Sequence, residues 1–151
     1  MSARPALAVQ RASRAAHIPS DARLARWARA ALPGGGRVTV RYVAEAEARR
    51  LNRQYRGRDY ATNVLSFPYG SAPPEGDVVI CAPVVAREAR EQRKSPLAHW
   101  AHMVVHGTLH LLGHDHERPR QAAAMESLEV EILRGLGFDD PYLGSRAATH
   151  E

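Results

Sequence analysis

The stretch SPLAHWAHMVVHGTLHLLGHDH, residues 95–116, decides the fold, because it predicts a long helix buried on nearly all sides. Ser95 followed by Pro96 is a typical helix start, a capping serine and then a proline at the first helical position. Apolar residues cover most of the helical circumference, which is typical of a helix in the core of a protein. These residues are Leu97, Trp100, Ala101, Val104, Val105, Leu109, Leu111 and Leu112.

Four histidines interrupt the apolar surface of this helix. His99, His102, His106 and His110 fall within roughly 80° of one another on the helical wheel. A buried imidazole must be hydrogen-bonded, charged or metal-bound, because an unsatisfied buried polar group costs about 1–3 kcal/mol. We expect His99 and His102 to be hydrogen-bonded core residues. His106 and His110 are one turn apart on the same face, which is the chelating spacing of a zinc helix.

The residues after this pair complete a metal-binding pattern, H-x-x-x-H-x-x-G-x-x-H. Gly113 permits the left-handed turn that ends a helix and reverses the chain. His116 can then return beneath the helix as a third nitrogen ligand, with His114 as its competitor for that place. Asp115 is either a hydrogen-bonding partner that orients an imidazole or a turn residue. Three imidazoles and one open position predict a catalytic Zn²⁺ site, with one ion per chain.

Gly107 distinguishes this pattern from that of the metzincin peptidases, which it otherwise matches. Those peptidases carry a glutamate at this position, and that glutamate is their general base. The ligand cage is retained here without the usual proton acceptor, which argues against a peptidase. We expect Gly107 to leave room for a bulkier ligand or for a close backbone.

Composition is that of one globular domain. The chain has 151 residues, of which 44% are hydrophobic and 25% are charged. No apolar run approaches the length of a membrane span, and the start of the chain lacks the apolar block of a signal peptide. Cys81 is the single cysteine, which excludes an intrachain disulfide. We therefore expect a cytoplasmic protein with no membrane partner.

The net charge of +5 and the basic isoelectric point favour anionic partners, with nucleic acid first. A second explanation is compositional, since Lys94 is the sole lysine among 21 basic residues, and alanine is abundant. That pattern is typical of a general bias towards arginine and alanine codons. Charge alone leaves both explanations open.

Periodicity predicts the remaining elements. Weak alternation over residues 7–11 indicates an edge strand, and the ends of the chain, 1–10 and 143–151, are expected to be loosely ordered. Ser20 is a plausible cap for the first helix. We expect further strands at 37–43, at 62–68 (ended by Pro68) and, as an inner strand, at 77–82. The segment 69–76 is turn-rich, and helices are expected over 44–55, 84–93 and 121–136.

A charged loop, RGRDYA at residues 56–61, follows the second helix. Arg56 lies there with Arg53 and Arg58 nearby, an arrangement that a phosphate clamp would need. A solvated basic loop is the alternative for all three arginines.

Four segments together resemble a known family, the bacterial YbeY endoribonucleases of rRNA maturation. They are LNRQYRGRDYATNVLSFP (51–68), GDVVICAP (76–83), AHMVVHGTLHLLGHDH (101–116) and MESLEVEILRGLG (125–137). The resemblance extends over residues 37–143. It implies a single α/β domain of the α+β type, spanning the chain, with helices around a small mixed sheet.

The resemblance also implies an activity and its residues. His106, His110 and His116 align with the family's metal ligands, usually for zinc, and Arg56 with its functional arginine. It implies single-strand-specific RNA cleavage, processing of the 3′ end of 16S rRNA, ribosome quality control, and contact with the small ribosomal subunit or its assembly factors. His114, Asp115, Arg53 and Arg58 are further candidates for orienting the site or touching RNA.

The mechanism expected from these residues is metal-assisted phosphodiester hydrolysis, in which Arg56 neutralises developing charge. No residue can be assigned as general base, and an RNA 2′-hydroxyl is an alternative nucleophile to water. Two rival functions stay open: a metzincin-like metallopeptidase, and a ribosome-assembly factor without activity whose metal is structural. The oligomeric state is also left open.

Overall fold

Four strands form one mixed sheet in the computed structural model, which describes residues 6–13, 18–71, 73–113 and 118–142. The strands are β1 (Ala6–Ala12), β2 (Arg37–Val43), β3 (Val64–Ser71) and β4 (Pro74–Cys81), in the spatial order β1-β2-β4-β3. The pairs β1–β2 and β2–β4 are parallel, whereas β3 pairs with β4 in the antiparallel sense. β1 and β3 are therefore the two edges, and the fold is of the α+β class, as expected.

Five helices accompany the sheet within the described residues. They are α1 (Asp21–Ala31), α2 (Glu45–Arg56), α3 (Ala82–Glu91), α4 (Pro96–Leu111) and α5 (Pro119–Gly135). None of them is long and apolar enough to cross a membrane.

The predicted helix caps are present because they depend only on neighbouring residues. The Ser20 hydroxyl accepts from the backbone N–H of Arg23 at 3.3 Å, and the Ser95 hydroxyl accepts from that of Ala98 at 3.0 Å. After α4 the chain turns at Gly113 with φ +88°, the left-handed conformation that its sequence position predicts.

The two faces of the sheet have separate cores. Val78 and Ile80 of β4 point into the larger cluster, which contains much of α1 and α4. Val79 and Cys81 point the other way, into a smaller cluster under α2. Because successive strand residues face opposite sides, α4 and α2 lie on opposite faces of the same sheet.

Two expectations about the strands are corrected. Residues 6–10 pair with β2 and are not loosely ordered. β3 does not end at Pro68: it continues to Ser71 past an irregularity between Pro68 and Gly70, so most of the turn-rich segment 69–76 is a hairpin. An edge strand tolerates proline, since one side of its backbone needs no partner. In α2, Tyr55 is 60% exposed, whereas Asn52 is buried and its side-chain amide donates to the carbonyl of Tyr60 at 2.8 Å.

Candidate active site

The histidines of α4 form a continuous row. Ring centroids are 6.0 Å apart for His99 and His102, 6.0 Å for His102 and His106, and 4.7 Å for His106 and His110. His99 and His102 are buried, whereas His106 and His110 are partly exposed. The row therefore runs from the core to the surface, with the predicted ligand pair at its accessible end.

The Nε2 atoms of His106 and His110 face each other at 3.2 Å. Zinc–nitrogen bonds of about 2.0–2.1 Å at a tetrahedral angle place two ligand nitrogens about 3.3–3.4 Å apart. The observed spacing matches one edge of such a coordination shell, so this pair fits a zinc ion. The third predicted ligand, His116, lies outside the described residues, as do its competitor His114 and the candidate Asp115.

Glu129 of α5 fixes the orientation of His106. Its Oε1 lies 2.9 Å from His106 Nδ1, and its Oε2 lies 2.6 Å from His102 Nε2. The Tyr142 hydroxyl donates to the same Oε2 at 2.8 Å. An ionised carboxylate only accepts, so His106 donates from Nδ1, and this bond directs its Nε2 towards His110. A hydrogen bond of this kind is the usual support of a metal-binding histidine.

Electrostatics keep Glu129 charged although its side chain is only 1% exposed. Burial by itself would raise the pKa of this carboxyl, but the hydrogen bonds from His102 and His106 outweigh it and lower the pKa to about 2. Burial lowers the pKa of His102, which is therefore a neutral donor at pH 7. The site thus contains one buried anion held by two imidazoles and a phenol.

A second grouping of possible ligands shares His106. His102, His106 and Glu129 each offer one ligand atom, and these atoms all lie within 4.8 Å of one another, so this group could also hold a metal ion. The same atoms make short hydrogen bonds to each other. These bonds give the group an alternative role, the support of the His106 ring.

His99 is hydrogen-bonded in the core, as expected. Its Nε2 lies 2.9 Å from the carboxylate of Glu88, which also accepts from the side-chain amide of Asn63 at 3.1 Å. Burial would raise the pKa of Glu88, but the bonds from His99 and Asn63 hold it below its usual value. Among the described residues, the buried Nδ1 atoms of His99 and His102 have no partner, and each ring donates from Nε2 to a carboxylate, which only accepts.

Gly107 faces the sheet. A Cβ atom there would lie 2.6 Å from Val78 Cγ1 and 3.0 Å from Val64 Cγ2. The carbonyl of Gly107 also accepts from the hydroxyl of Ser66 at 2.8 Å. The space at this glycine is filled by side chains of β3 and β4, so room for a ligand is wrong, and the atoms closest to the added Cβ belong to side chains and not to another backbone. A glutamate at this position has no space, so α4 cannot carry a peptidase base there.

A cavity of about 280 Å³ adjoins His106 and is lined by residues of α5 and by Tyr142. Met125 forms its apolar part, and Glu126 and Glu129 form its acidic part. The accessible end of the histidine row therefore opens into space next to the buried carboxylate.

Arg56 lies at the end of α2, one residue before the left-handed Gly57, and not in the loop itself. The preceding residue, Tyr55, packs its ring on Phe67 of β3 at a centroid distance of 5.1 Å. Ser66, the neighbour of Phe67, contacts α4 through Gly107 on the opposite face. The end of α2 and the middle of α4 therefore flank the same point of the edge strand.

The basic residues around Arg56 are exposed. Arg53 and Arg56 have no carboxylate within ion-pair distance in the described ranges, and Arg58 contacts the hydroxyl of Tyr60 at 3.4 Å. Arg49, in contrast, is paired with Asp59 at 2.8 Å. Arg53 and Arg56 are thus available for an anionic ligand.

Glu129 and Tyr142 were missed by sequence reasoning. A signal for Glu129 existed: it lies one turn after Met125 and one turn before Leu133, on the stripe of α5 that the structure buries. A charged residue in a buried stripe requires a partner, and a helix with four histidines offers one. No comparable signal marked Tyr142.

The chain is similar to known proteins over most of its length. A family model described as Endoribonuclease YbeY matches residues 13–137. A protein named Endoribonuclease YbeY from Alkalilimnicola ehrlichii is 58% identical over 139 residues, which are 84% of each chain. One of the same name from Aromatoleum aromaticum is 57% identical over 145 residues, 93% of this chain and 94% of that protein. A solution structure from Thermotoga maritima shares the fold, with a TM-score of 0.57 and 25% identity over 89% of this chain and 97% of that one.

Proposed function

The chain belongs to the YbeY endoribonuclease family and is a hydrolase acting on RNA, and we propose that it is a metal-dependent enzyme that cuts single strands. The observation that carries this proposal is the Nε2 pair of His106 and His110, 3.2 Å apart, with the His106 ring fixed by Glu129. We propose His106, His110 and His116 as the ligands of one zinc ion. Zinc supplies Lewis-acid chemistry and a bound water of near-neutral pKa.

The protein's own residues prepare this site. The Glu129 carboxylate holds His106 with its Nε2 directed towards His110. Gly107 lets α4 lie directly on the sheet, which sets the depth of both histidines. The partly exposed end of the histidine row, beside the cavity, is where a phosphodiester can reach the pair.

Arg56 is proposed to hold a phosphate of the RNA and to neutralise charge that develops on it. It has no ion-pair partner in the described part of the chain, and α2 ends beside the edge strand that α4 contacts on its other face. Loss of a charged hydrogen bond costs about 1.5–3 kcal/mol, so Arg56→Ala should cut about 10- to 100-fold more slowly. Arg29→Ala, which removes an exposed arginine from the last turn of α1, is the matched control.

The proposed substrate is the precursor of 16S rRNA, cut near its 3′ end in the cytoplasm, with the small ribosomal subunit and its assembly factors as partners. Support comes from the family and from the exposed arginines of α2. Arg53 and Arg58 are proposed to contact the RNA backbone. His114 and Asp115 are proposed to orient the ligand set.

Cleavage tests the function directly. End-labelled rRNA that carries an unprocessed 3′ end is incubated with the purified protein and with His110→Ala prepared in parallel. We expect cleavage by the unaltered protein alone. Equal cleavage by both would indicate a contaminating nuclease, and full rescue of a deletion strain by His110→Ala would leave a structural role in ribosome assembly. A 5′-phosphate on the downstream product would exclude attack by the RNA 2′-hydroxyl.

Zinc content distinguishes the two groupings of ligands. His110→Ala removes one proposed ligand, whereas His102→Gln removes a member of the second group but keeps an amide that can donate to Glu129. We expect His110→Ala to lose most of its zinc and His102→Gln to retain it. The reverse result would move the ion to the group of His102, His106 and Glu129.

A further inference from the structure

A groove on the α2 face of the sheet is a second feature of the molecule, distinct from the histidine row. It has a volume of about 240 Å³. Leu51, Phe67 and Val79 form its apolar walls, and the rings of Tyr55 and Tyr69 form part of its rim. Because α2 and α4 lie on opposite faces, this groove does not belong to the metal site.

The two rim tyrosines are unusually exposed. Tyr55 is 60% exposed and Tyr69 is 67% exposed, and apart from Tyr60 at 51% no other aromatic ring in the described ranges is as accessible. Burial of an aromatic ring is favourable, and these two rings are not buried within the protein. Their faces are therefore accessible for stacking with a ligand. Tyr69 also coincides with the irregularity of β3, between the paired residues Pro68 and Gly70. Such irregularities often redirect a side chain beside a functional site.

The rim tyrosines are held in place. Tyr55 contacts Phe67 edge to face at 5.1 Å, and the Tyr69 hydroxyl donates to Asp77 at 2.6 Å. Rings fixed in this way lose little conformational freedom when a planar ligand stacks on them.

The charged residues that line the groove are Arg41, Glu47 and Asp77, and Arg53 and Arg56 add exposed positive charge beside it. Glu47 on the groove wall is neutralised by two hydrogen bonds from Arg41, at 2.8 Å and 3.0 Å. Arg53 and Arg56, on the same helix as Tyr55, have no carboxylate partner among the described residues. Exposed rings beside unpaired arginines are how proteins bind single-stranded nucleic acid, with stacked bases and clamped phosphates.

We propose that this groove binds a nucleobase of single-stranded RNA, stacked against Tyr55 and Tyr69, while Arg53 and Arg56 hold the adjoining phosphates. This inference rests on the proposed function for the identity of the substrate. A duplex keeps its bases stacked on each other, so the groove supplies a physical reason for preferring unpaired RNA. The edge strand β3 separates the groove from the histidine row. A bound RNA would therefore cross this edge of the sheet to reach both sites.

Binding and not cleavage is the test. A fluorescent single-stranded RNA and an abasic strand of equal length are titrated in the presence of a chelator, and the dissociation constants are measured by anisotropy. We expect Tyr55→Ala and Tyr69→Ala each to weaken binding of the RNA about 5- to 100-fold and to leave the abasic strand unchanged. Tyr55→Phe keeps the ring and its contact with Phe67 and should bind as the unaltered protein does, whereas Tyr69→Phe keeps the ring but loses its bond to Asp77 and should bind more tightly than Tyr69→Ala. Tyr60→Ala removes an exposed ring outside the groove and is the matched control.

The possible outcomes separate the two proposals. Unchanged RNA binding by both alanine variants would overturn the base-binding groove, and a protein partner would then be its remaining occupant. Equal loss on the abasic strand would also overturn it, because the rings would then act only through folding or phosphate contacts. Neither result depends on the cleavage assay with His110→Ala. The proposal of a base-binding groove and the proposal of a metal site can therefore fail independently of each other.

Discussion

Replacing Gly107 by alanine tests how closely α4 must approach the sheet. The added Cβ would meet Val78 Cγ1 at 2.6 Å and Val64 Cγ2 at 3.0 Å, distances at which one element must move. Alanine favours a helix over glycine by about 1 kcal/mol, whereas overpacking costs about 1–3 kcal/mol. A shift of α4 would also weaken the Ser66 hydrogen bond, worth about 1 kcal/mol. We therefore expect a net loss of about 2 kcal/mol in the free energy of unfolding.

Urea unfolding and thermal melting measure this loss. In a chain of this size, about 2 kcal/mol lowers Tm by about 4–8 °C. Gly135→Ala is the matched control: it too replaces a helical glycine, but nothing lies within 4 Å of its added Cβ, so it should leave stability unchanged or raise it slightly. Val78→Ala removes the methyl group that the added Cβ would meet. In that background, Gly107→Ala should lower the free energy of unfolding by less than it does in the unaltered protein. Gly107→Ala with the stability of Gly135→Ala would refute the close packing.

Three further predictions concern buried groups. Glu129→Gln should lower zinc affinity about 10- to 100-fold in chelator competition, since the amide cannot accept from both imidazoles, and unchanged affinity would remove its supporting role. The folded-state pKa of Glu88 lies below its usual 4.5, so the stability that its charge adds is present above pH 4.5 and is lost as the pH falls through the folded-state pKa. In urea unfolding at several acid pH values, the free energy of unfolding of the unaltered protein should therefore fall towards that of Glu88→Gln. The exposed Glu91→Gln is the control and should show no such trend. Cys81 is buried, and burial raises the pKa of its thiol, so a thiol reagent should react with it only after unfolding, and rapid labelling of the folded protein would contradict this.

Features that depend on neighbouring residues could be predicted from the sequence. The caps at Ser20 and Ser95 involve residues three positions away, and the turn at Gly113 needs only the conformational freedom of glycine. The facing nitrogens of His106 and His110 follow from their spacing of one helical turn.

Features that depend on residues distant in the sequence could not be predicted. Glu129 reaches His106 across 23 positions, and Ser66 reaches Gly107 across 41 positions, so neither contact has a periodic signature. The extension of β3 past Pro68 was missed because proline is tolerated only if the strand lies at an edge, which a single sequence does not reveal.

The edge strand β3 has a consequence for insertions and deletions. Ser66 contacts α4 on one face, and its neighbour Phe67 contacts Tyr55 of α2 on the other. A single residue inserted before Ser66 would exchange these two faces, turning the Ser66 hydroxyl towards α2 and the Phe67 ring towards the α4 face. Natural variation in chain length should therefore be excluded from the first half of β3 and confined to positions after its irregularity at Pro68, where the paired register already shifts.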